Sequence, residues 1–407
     1  MLKILISFLY LSKMESKMTD LSLKKRKRIE EIDYLRGFAI LAVVAIHSSG
    51  HFTETSNVNL LLTINVIIDI FLYFAVPLFI FISGFVLYIK YKGLFSKKLF
   101  LQKRAKSILP PYIIFSILYT LYDITIAING NSSFPSIMKI TFNFLIASSY
   151  YHLWYFALII QFYIFYPYII KTYDKFTSNH RTFYFMFSAL IIQELWLIVK
   201  EIILNYFNSN TYFNSITYFN TILDLLLKRV FFSHIFYFVL GIYVCQNYEY
   251  IVDKIFNAKK LIISIIVILT GAMSVLWING IAKYGGYHSI PKIYFLVPDL
   301  LGPVYFPLIF SILFIISWNF TNTGNKFSTY SKTISLIGKY SLGIYLIHAL
   351  FISIFVSLIF PQFNGELNYL IFSPALFILT ILSSYYSVYL ISYLPYSEII
   401  IGTKNKN

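Results

Sequence analysis

The stretch EEIDYLRGFAILAVVAIHSSGHF, residues 30–52, sets an arginine, Arg36, and a histidine, His47, in an otherwise apolar run. A helix turns about 100° and rises about 1.5 Å per residue. The spacing therefore brings both side chains to within about 20° of one face, about 16 Å apart along the axis, roughly half the hydrocarbon thickness of a bilayer.

The rest of the chain says that this helix crosses a membrane. Of 407 residues, 58% are hydrophobic and only 12% charged, and the mean hydropathy is +0.71. Soluble domains carry about a quarter of their residues charged. The chain reads as an all-α, polytopic integral membrane protein. Aromatic residues make up 20%, more than lipid-facing surfaces use, so many Tyr and Phe belong at interfaces or around an internal cavity.

About ten apolar segments are long enough to span, near residues 33–52, 64–89, 108–128, 153–170, 182–204, 223–245, 260–280, 294–318, 334–360 and 369–393. With both termini cytoplasmic, about 27 of the 33 Lys and Arg fall on the inner side, the asymmetry that the positive-inside rule requires. The net charge of +16 is thereby explained by topology, and nucleic acid is not an expected partner. Residues 1–32 form a basic cytoplasmic segment, 33–393 the membrane domain and 394–407 a short cytoplasmic tail. Residues 136–149 are expected as an interfacial helix and the aromatic stretch 205–220 as a loop.

The opening MLKILISFLYLSKMESKM is too short to span and lacks a small-residue cleavage site. Translation starting at Met14 or Met18 is an equal alternative. KKRKR at 24–28 is expected to anchor on anionic headgroups. The single cysteine, Cys245, allows no intrachain disulfide. No zinc-ligand spacing, phosphate-binding glycine loop or internal repeat is present.

Ionisable groups at membrane depth cost several kcal/mol, so each is a candidate site. Arg36 can snorkel to headgroups, and His47 can sit as a neutral, hydrogen-bonded core histidine; their shared face favours function for both. Asp69, on the next span, is a candidate to orient His47. Glu194 lies near the middle of the fifth span, and His348 midway along the ninth with Tyr345 one turn before it. Asp299, Asp224, Lys228 and Arg229 fall near outer ends and read as interfacial or ion-paired. Ser83 and Gly84 permit close helix packing. In KKLFLQKRAKSILPPY, Pro110 and Pro111 suit the first turn of a helix, and Lys103, Arg104 and Lys106 are either positive-inside charge or a grip for a phosphorylated ligand.

Together these pieces resemble the acyltransferase-3 family of integral-membrane O-acyltransferases acting on cell-surface glycans. The opening motif is Asp33, Leu35, Arg36, Gly37 and His47. VPLFIFISGF from Val76, KRAKSILPPY from Lys103, HLWYFALIIQFYIFYP from His152, YFVLGIY from Tyr237 and SLGIYLIH from Ser341 to His348 follow in the family's order. The resemblance covers residues 33–393, and the LWY and PPY segments are similar to the branch acting on poly-N-acetylglucosamine and enterobacterial common antigen. One departure is that Arg104 is followed at the third position by Ser107 where many members have a second arginine. Lys106 offers a point charge there, without a bidentate fork.

The resemblance implies transfer of a short acyl group, acetyl or succinyl, from acyl-coenzyme A to a glycan hydroxyl across the membrane, with no tightly bound cofactor and no metal. Arg36, Lys103, Arg104 and Lys106 would hold the coenzyme. His47 would act as general base or as nucleophile, with Asp69 and His348 in support, and His152, Trp154 and Tyr345 would meet the acceptor. The expected partners are membrane lipid, the glycan acceptor and polysaccharide synthase machinery, in the cell membrane. Two rivals remain, a polysaccharide or lipid-linked sugar exporter and an accessory scaffold for a synthase.

Overall fold

A computed structural model describes residues 29–50, 59–93, 95–130, 134–209, 219–285, 290–291, 293–322, 328–359 and 366–403. The opening apolar run, the KKRKR anchor and most of the expected loop at 205–220 lie outside them. The described residues form helices and no strand. Nine of these helices are long and apolar enough to cross a membrane, or ten when the bent pair Ile222–Lys228 and Phe231–Gln246 is taken as one span. This is the all-α polytopic architecture that the composition required.

The chain divides into two compact units, one of residues 1–30, 80–101 and 158–248, the other of 31–79, 102–157 and 249–407. In the larger unit the first helix, α1 (Glu31–Gly50), begins with Glu31 and Asp33 in its first turn, where carboxylates oppose the positive end of the helix dipole. It is followed by α2 (Leu60–Phe71), capped by the Asn59 side chain, which accepts from the Leu62 amide at 2.8 Å. A three-residue break leads into α3 (Ala75–Tyr91), so the second span is two helices.

The helix α4 (Lys97–Ile128) corrects the sequence reading, because Pro110 and Pro111 lie inside it and not at its start. Each proline lacks the amide that would bond four residues back. The carbonyls so released belong to Lys106 and Ser107, both exposed, where water can satisfy them. Lys103, Arg104 and Lys106 are consequently mid-helix side chains, and the argument from a helix start does not apply to them. Next, α5 (Ile137–Leu145) is a short helix within the segment 136–149 expected to be helical, with Ile137 84% exposed.

The smaller unit holds parts of α3 and α6 (Trp154–Ser178), with α7 (Thr182–Ser209), α8 (Phe219–Lys228), a 3-10 turn and α9 (Ile235–Gln246). The bend of 41° after α8 strands backbone groups that lipid cannot satisfy. Gln161 covers them, donating to the Arg229 carbonyl at 2.7 Å and accepting from the Phe231 amide at 3.3 Å. Gly84 and Gly241 let α3 and α9 touch backbone to backbone, since a Cβ on either would strike a carbonyl of the other helix. That is the close packing expected of the Ser83–Gly84 pair.

The larger unit continues with α10 (Tyr248–Tyr284), α11 (Ile293–Asn322), α12 (Ser328–Lys339), α13 (Ser341–Ile359), α14 (Glu366–Ile391) and α15 (Ser397–Ile401). The expected ninth span, 334–360, is divided at Tyr340. Only α13 is long enough to cross, because α12 has 12 residues. Residues 394–407, expected as a tail, include α15, whose Ser397 and Ile401 are buried. The helix at the centre of this unit is α1, packed by α2, α11, α12, α13 and α14. Gly37 lies against the Ile334 carbonyl and side chain and Gly338 against the Asp33 carbonyl, so α1 and α12 cross closely, with backbone contact at both glycines.

Candidate active site

Three imidazoles of the larger unit come together. His47, near the C-terminal end of α1, stacks on His348 of α13, with ring centroids 5.5 Å apart and planes 24° apart. His152, in the connection before α6, lies edge-to-face with His348 at 4.9 Å. Tyr151 closes against His47, also edge-to-face at 4.9 Å. His348 is fully buried and His152 nearly so.

The surrounding tyrosine hydroxyls are committed to fixing the frame. Tyr119 donates to the Leu346 carbonyl at 2.8 Å, Tyr345 to the His152 carbonyl, and Tyr150 shares a hydrogen bond with Ser353. Tyr119 and Tyr150 stack at 4.2 Å, which ties α4 to the connection bearing His152. Among the described residues, neither ring nitrogen of His152 and not Nε2 of His348 has a hydrogen-bond partner. The Leu346 carbonyl, which accepts from Tyr119, also lies beside the His152 ring. Burial, then the neighbouring imidazoles of His348 and His47, hold His152 well below the usual histidine range, so this ring is neutral.

The protonation of His348 follows from its neighbours. Its Nδ1 faces the Tyr345 carbonyl at 2.7 Å and the Ile344 carbonyl at 3.2 Å. Carbonyl oxygens only accept, so Nδ1 carries the hydrogen and Nε2 of the neutral ring carries the lone pair.

Arg36 pairs with Asp33 one turn earlier at 3.3 Å, its side chain 34% exposed. Asp69, expected to orient His47, instead accepts from Ser49 Oγ at 3.0 Å. Ser49 also donates to the Ile46 carbonyl at 3.1 Å. Trp154 opens α6 two residues after His152 and is half-buried. Lys103 and Lys106 are exposed and Arg104 half-buried on α4, with the Arg104 carbonyl accepting from Ser107 Oγ at 2.9 Å. Glu194 belongs to the smaller unit, Asp224 pairs with Lys228 at 2.7 Å, and Asp299 accepts from the Tyr73 hydroxyl. No group of three or more His, Cys, Asp or Glu among the described residues is arranged to hold a metal ion.

A family model described as an acyltransferase domain matches residues 29–389, from just before the Arg36 helix nearly to the end of α14. The chain belongs to the acyltransferase-3 family. Relatives include the probable poly-beta-1,6-N-acetyl-D-glucosamine export proteins of Staphylococcus aureus strains MSSA476 and MRSA252. They are 26% and 25% identical over 276 residues, covering 68% of this chain and 68% of each relative. No solved structure matches the chain.

In this acyltransferase-3 protein the sequence pointed to His47, His152, His348 and Tyr345 separately, and the fold assembles them. It gave no reason to single out Tyr119, Tyr150, Tyr151, Ser49 or Ser353. The doubled tyrosine before His152 was a signal, but in a chain with 36 tyrosines it does not stand out.

Proposed function

We propose that the protein transfers a short acyl group, acetyl or succinyl, from cytoplasmic acyl-coenzyme A to a hydroxyl of an extracytoplasmic or lipid-linked glycan, working in the cell membrane. The observation that carries this reading is the Arg36 to His47 face of α1, whose histidine stacks on a buried histidine, His348. Arg36 marks the inner end of that face, with Lys103, Arg104 and Lys106 as further cations for the coenzyme phosphates. The thioester arm spans the half-bilayer to His47. A sugar hydroxyl is a weak nucleophile at neutral pH, and removal of its proton as the ester forms contributes about 10² to 10⁴ in rate. Imidazole is suited to that task because its ordinary pKa lies near about 6.5. The tyrosines around the cluster offer the amphipathic faces that a sugar ring packs on. Coenzyme A enters as donor substrate, and the partners are bilayer lipid, the acceptor glycan and the synthase that makes it.

The names of the staphylococcal relatives favour a second reading, a polysaccharide exporter. The test uses inside-out vesicles given labelled acetyl- or succinyl-coenzyme A, with native protein and with His47→Ala. Label entering an alkali-labile glycan ester only with native protein supports the acyltransferase and identifies the donor. If neither donor labels glycan while both proteins move glycan equally, the exporter replaces it.

A further inference from the structure

Three buried imidazole nitrogens without partners are an unusual arrangement. Leaving a buried polar atom unpaired is costly. The neighbouring hydroxyls of Tyr119, Tyr150 and Tyr345 are already engaged with Leu346, Ser353 and His152. The nitrogens are therefore the polar atoms left over for a reacting group. The two stacked rings differ in a way that assigns them different work.

His348 holds its hydrogen on Nδ1 between two backbone carbonyls, at 2.7 and 3.2 Å, inside a helix with no exposed surface at that residue. A histidine that carries an acyl group must shed its other ring proton to become a neutral acyl-imidazole. The Nδ1 hydrogen of His348 is enclosed and cannot leave without orphaning both carbonyl contacts. Its Nε2 can, however, accept a proton and return it with the ring unmoved. His47 is half-exposed, on the face it shares with Arg36, and is open to a thioester arriving along α1.

We propose a division of labour in which His47 carries the acyl group and His348, through Nε2, is the base for the acceptor. This rests on the acyltransferase reading and settles which histidine performs which step. In the first step a His47 ring nitrogen attacks the thioester carbonyl. The N–C bond forms, the C–S bond breaks with its electron pair on sulfur, and the proton from the other nitrogen of His47 goes to the thiolate. Free coenzyme thiol and acyl-imidazole result. In the second step the glycan hydroxyl oxygen attacks the acyl carbon while Nε2 of His348 takes its proton. The C–N bond breaks with its electron pair on His47, and the proton held on His348 Nε2 returns to the His47 ring through a water molecule entering with the acceptor, restoring both neutral rings. Tyr151, 45% exposed and edge-on to His47, is the side chain the hydroxyl must pass.

The experiment follows coenzyme thiol release and label on purified protein given labelled acyl-coenzyme A, with and without acceptor glycan. His348→Asn keeps an N–H donor near the Ile344 and Tyr345 carbonyls and lacks Nε2. It is expected to release one thiol per protein in a burst, to retain label recoverable with hydroxylamine, and to transfer to glycan at least about 100-fold more slowly. His47→Ala is expected to show no burst. Native protein without acceptor supplies a check free of folding artefacts, since it too is expected to accumulate label on His47. Glycan transfer by native protein with no labelled His47 in either setting, or native-rate transfer by His348→Asn, overturns the division of labour. Native protein that neither takes up nor transfers label overturns the acyltransferase reading itself.

Discussion

Arg36 and Asp33 form an ion pair of 3.3 Å one turn apart on α1, with the arginine 34% and the carboxylate 8% exposed at the side chain. Asp33 holds the guanidinium, with its planar donor fork, near the start of the helix. If that fork grips the coenzyme phosphates, Arg36→Ala raises KM for acyl-coenzyme A by about tenfold or more with little change in kcat, the signature of lost uniform binding. Arg36→Lys, a point charge without the fork, falls between. Initial rates against donor concentration provide the check, and an unchanged KM removes Arg36 from the coenzyme site.

Ser49 and Asp69 join α1 to α2 through one side-chain hydrogen bond of 3.0 Å. Hydrogen bonds to charged or buried groups contribute about 1.5–3 kcal/mol. Ser49→Ala and Asp69→Ala are each expected to lower the unfolding temperature, and the double variant to lose less than the sum. The cycle should give a coupling of about 0.5–3 kcal/mol. Additive losses would mean that the two side chains are energetically independent.

Gly338→Ala sets a Cβ against the Asp33 carbonyl, and backbone cannot yield as a side chain does. The expected loss is about 1–3 kcal/mol, read as thermal unfolding in detergent. Gly271, within α10, has nothing within 4 Å of a would-be Cβ. Gly271→Ala should therefore stabilise by about 0.5–1 kcal/mol, through helix propensity alone. Equal effects at the two positions would contradict the close crossing.

His152 adds a pH dependence of defined sign. Its ionisation in the folded protein is pushed below the ordinary value by burial and by the other imidazoles. Below about pH 6.5 the unfolded chain takes up a proton that the folded one refuses. The stability contribution is whole above that pH and is lost as pH falls toward the depressed value. The unfolding temperature of native protein should drop between about pH 7 and 5, and His152→Asn should flatten the curve over the same range. Parallel curves would place the titration elsewhere.

Much of this was legible before any coordinates. Arg36 and His47 are visible because a single helix relates them, and helical period needs no tertiary knowledge. The spans are visible because lipid demands long apolar runs. What escaped were features set by neighbours. The helix begins well before Pro110 and Pro111, and the carbonyls they release, of Lys106 and Ser107, are on exposed residues, which depends on packing and not on spacing. The ninth span shortens because the chain breaks at Tyr340 into a 12-residue helix, α12, and a spanning one, α13, although the apolar pattern runs on across the break. Asp69 pairs with Ser49 because of the turn at which α2 meets α1. His152 and His348 are far apart in sequence, and no periodicity could bring them to one site.

The backbone contact at Gly37 and Gly338 also bears on movement. Rocking transporters slide or tilt helices past one another, and that needs side chains that can ride over a neighbour. Here Ile334 and Asp33 fill the spaces the glycines leave, so a shift of α1 along α12 would drive carbonyl into Cα. Sliding of the helix that bears Arg36 and His47 along α12 is therefore sterically costly at this crossing. In an acyl-transfer mechanism the mobile part is therefore the substrate, a flexible arm drawn along a stationary protein surface.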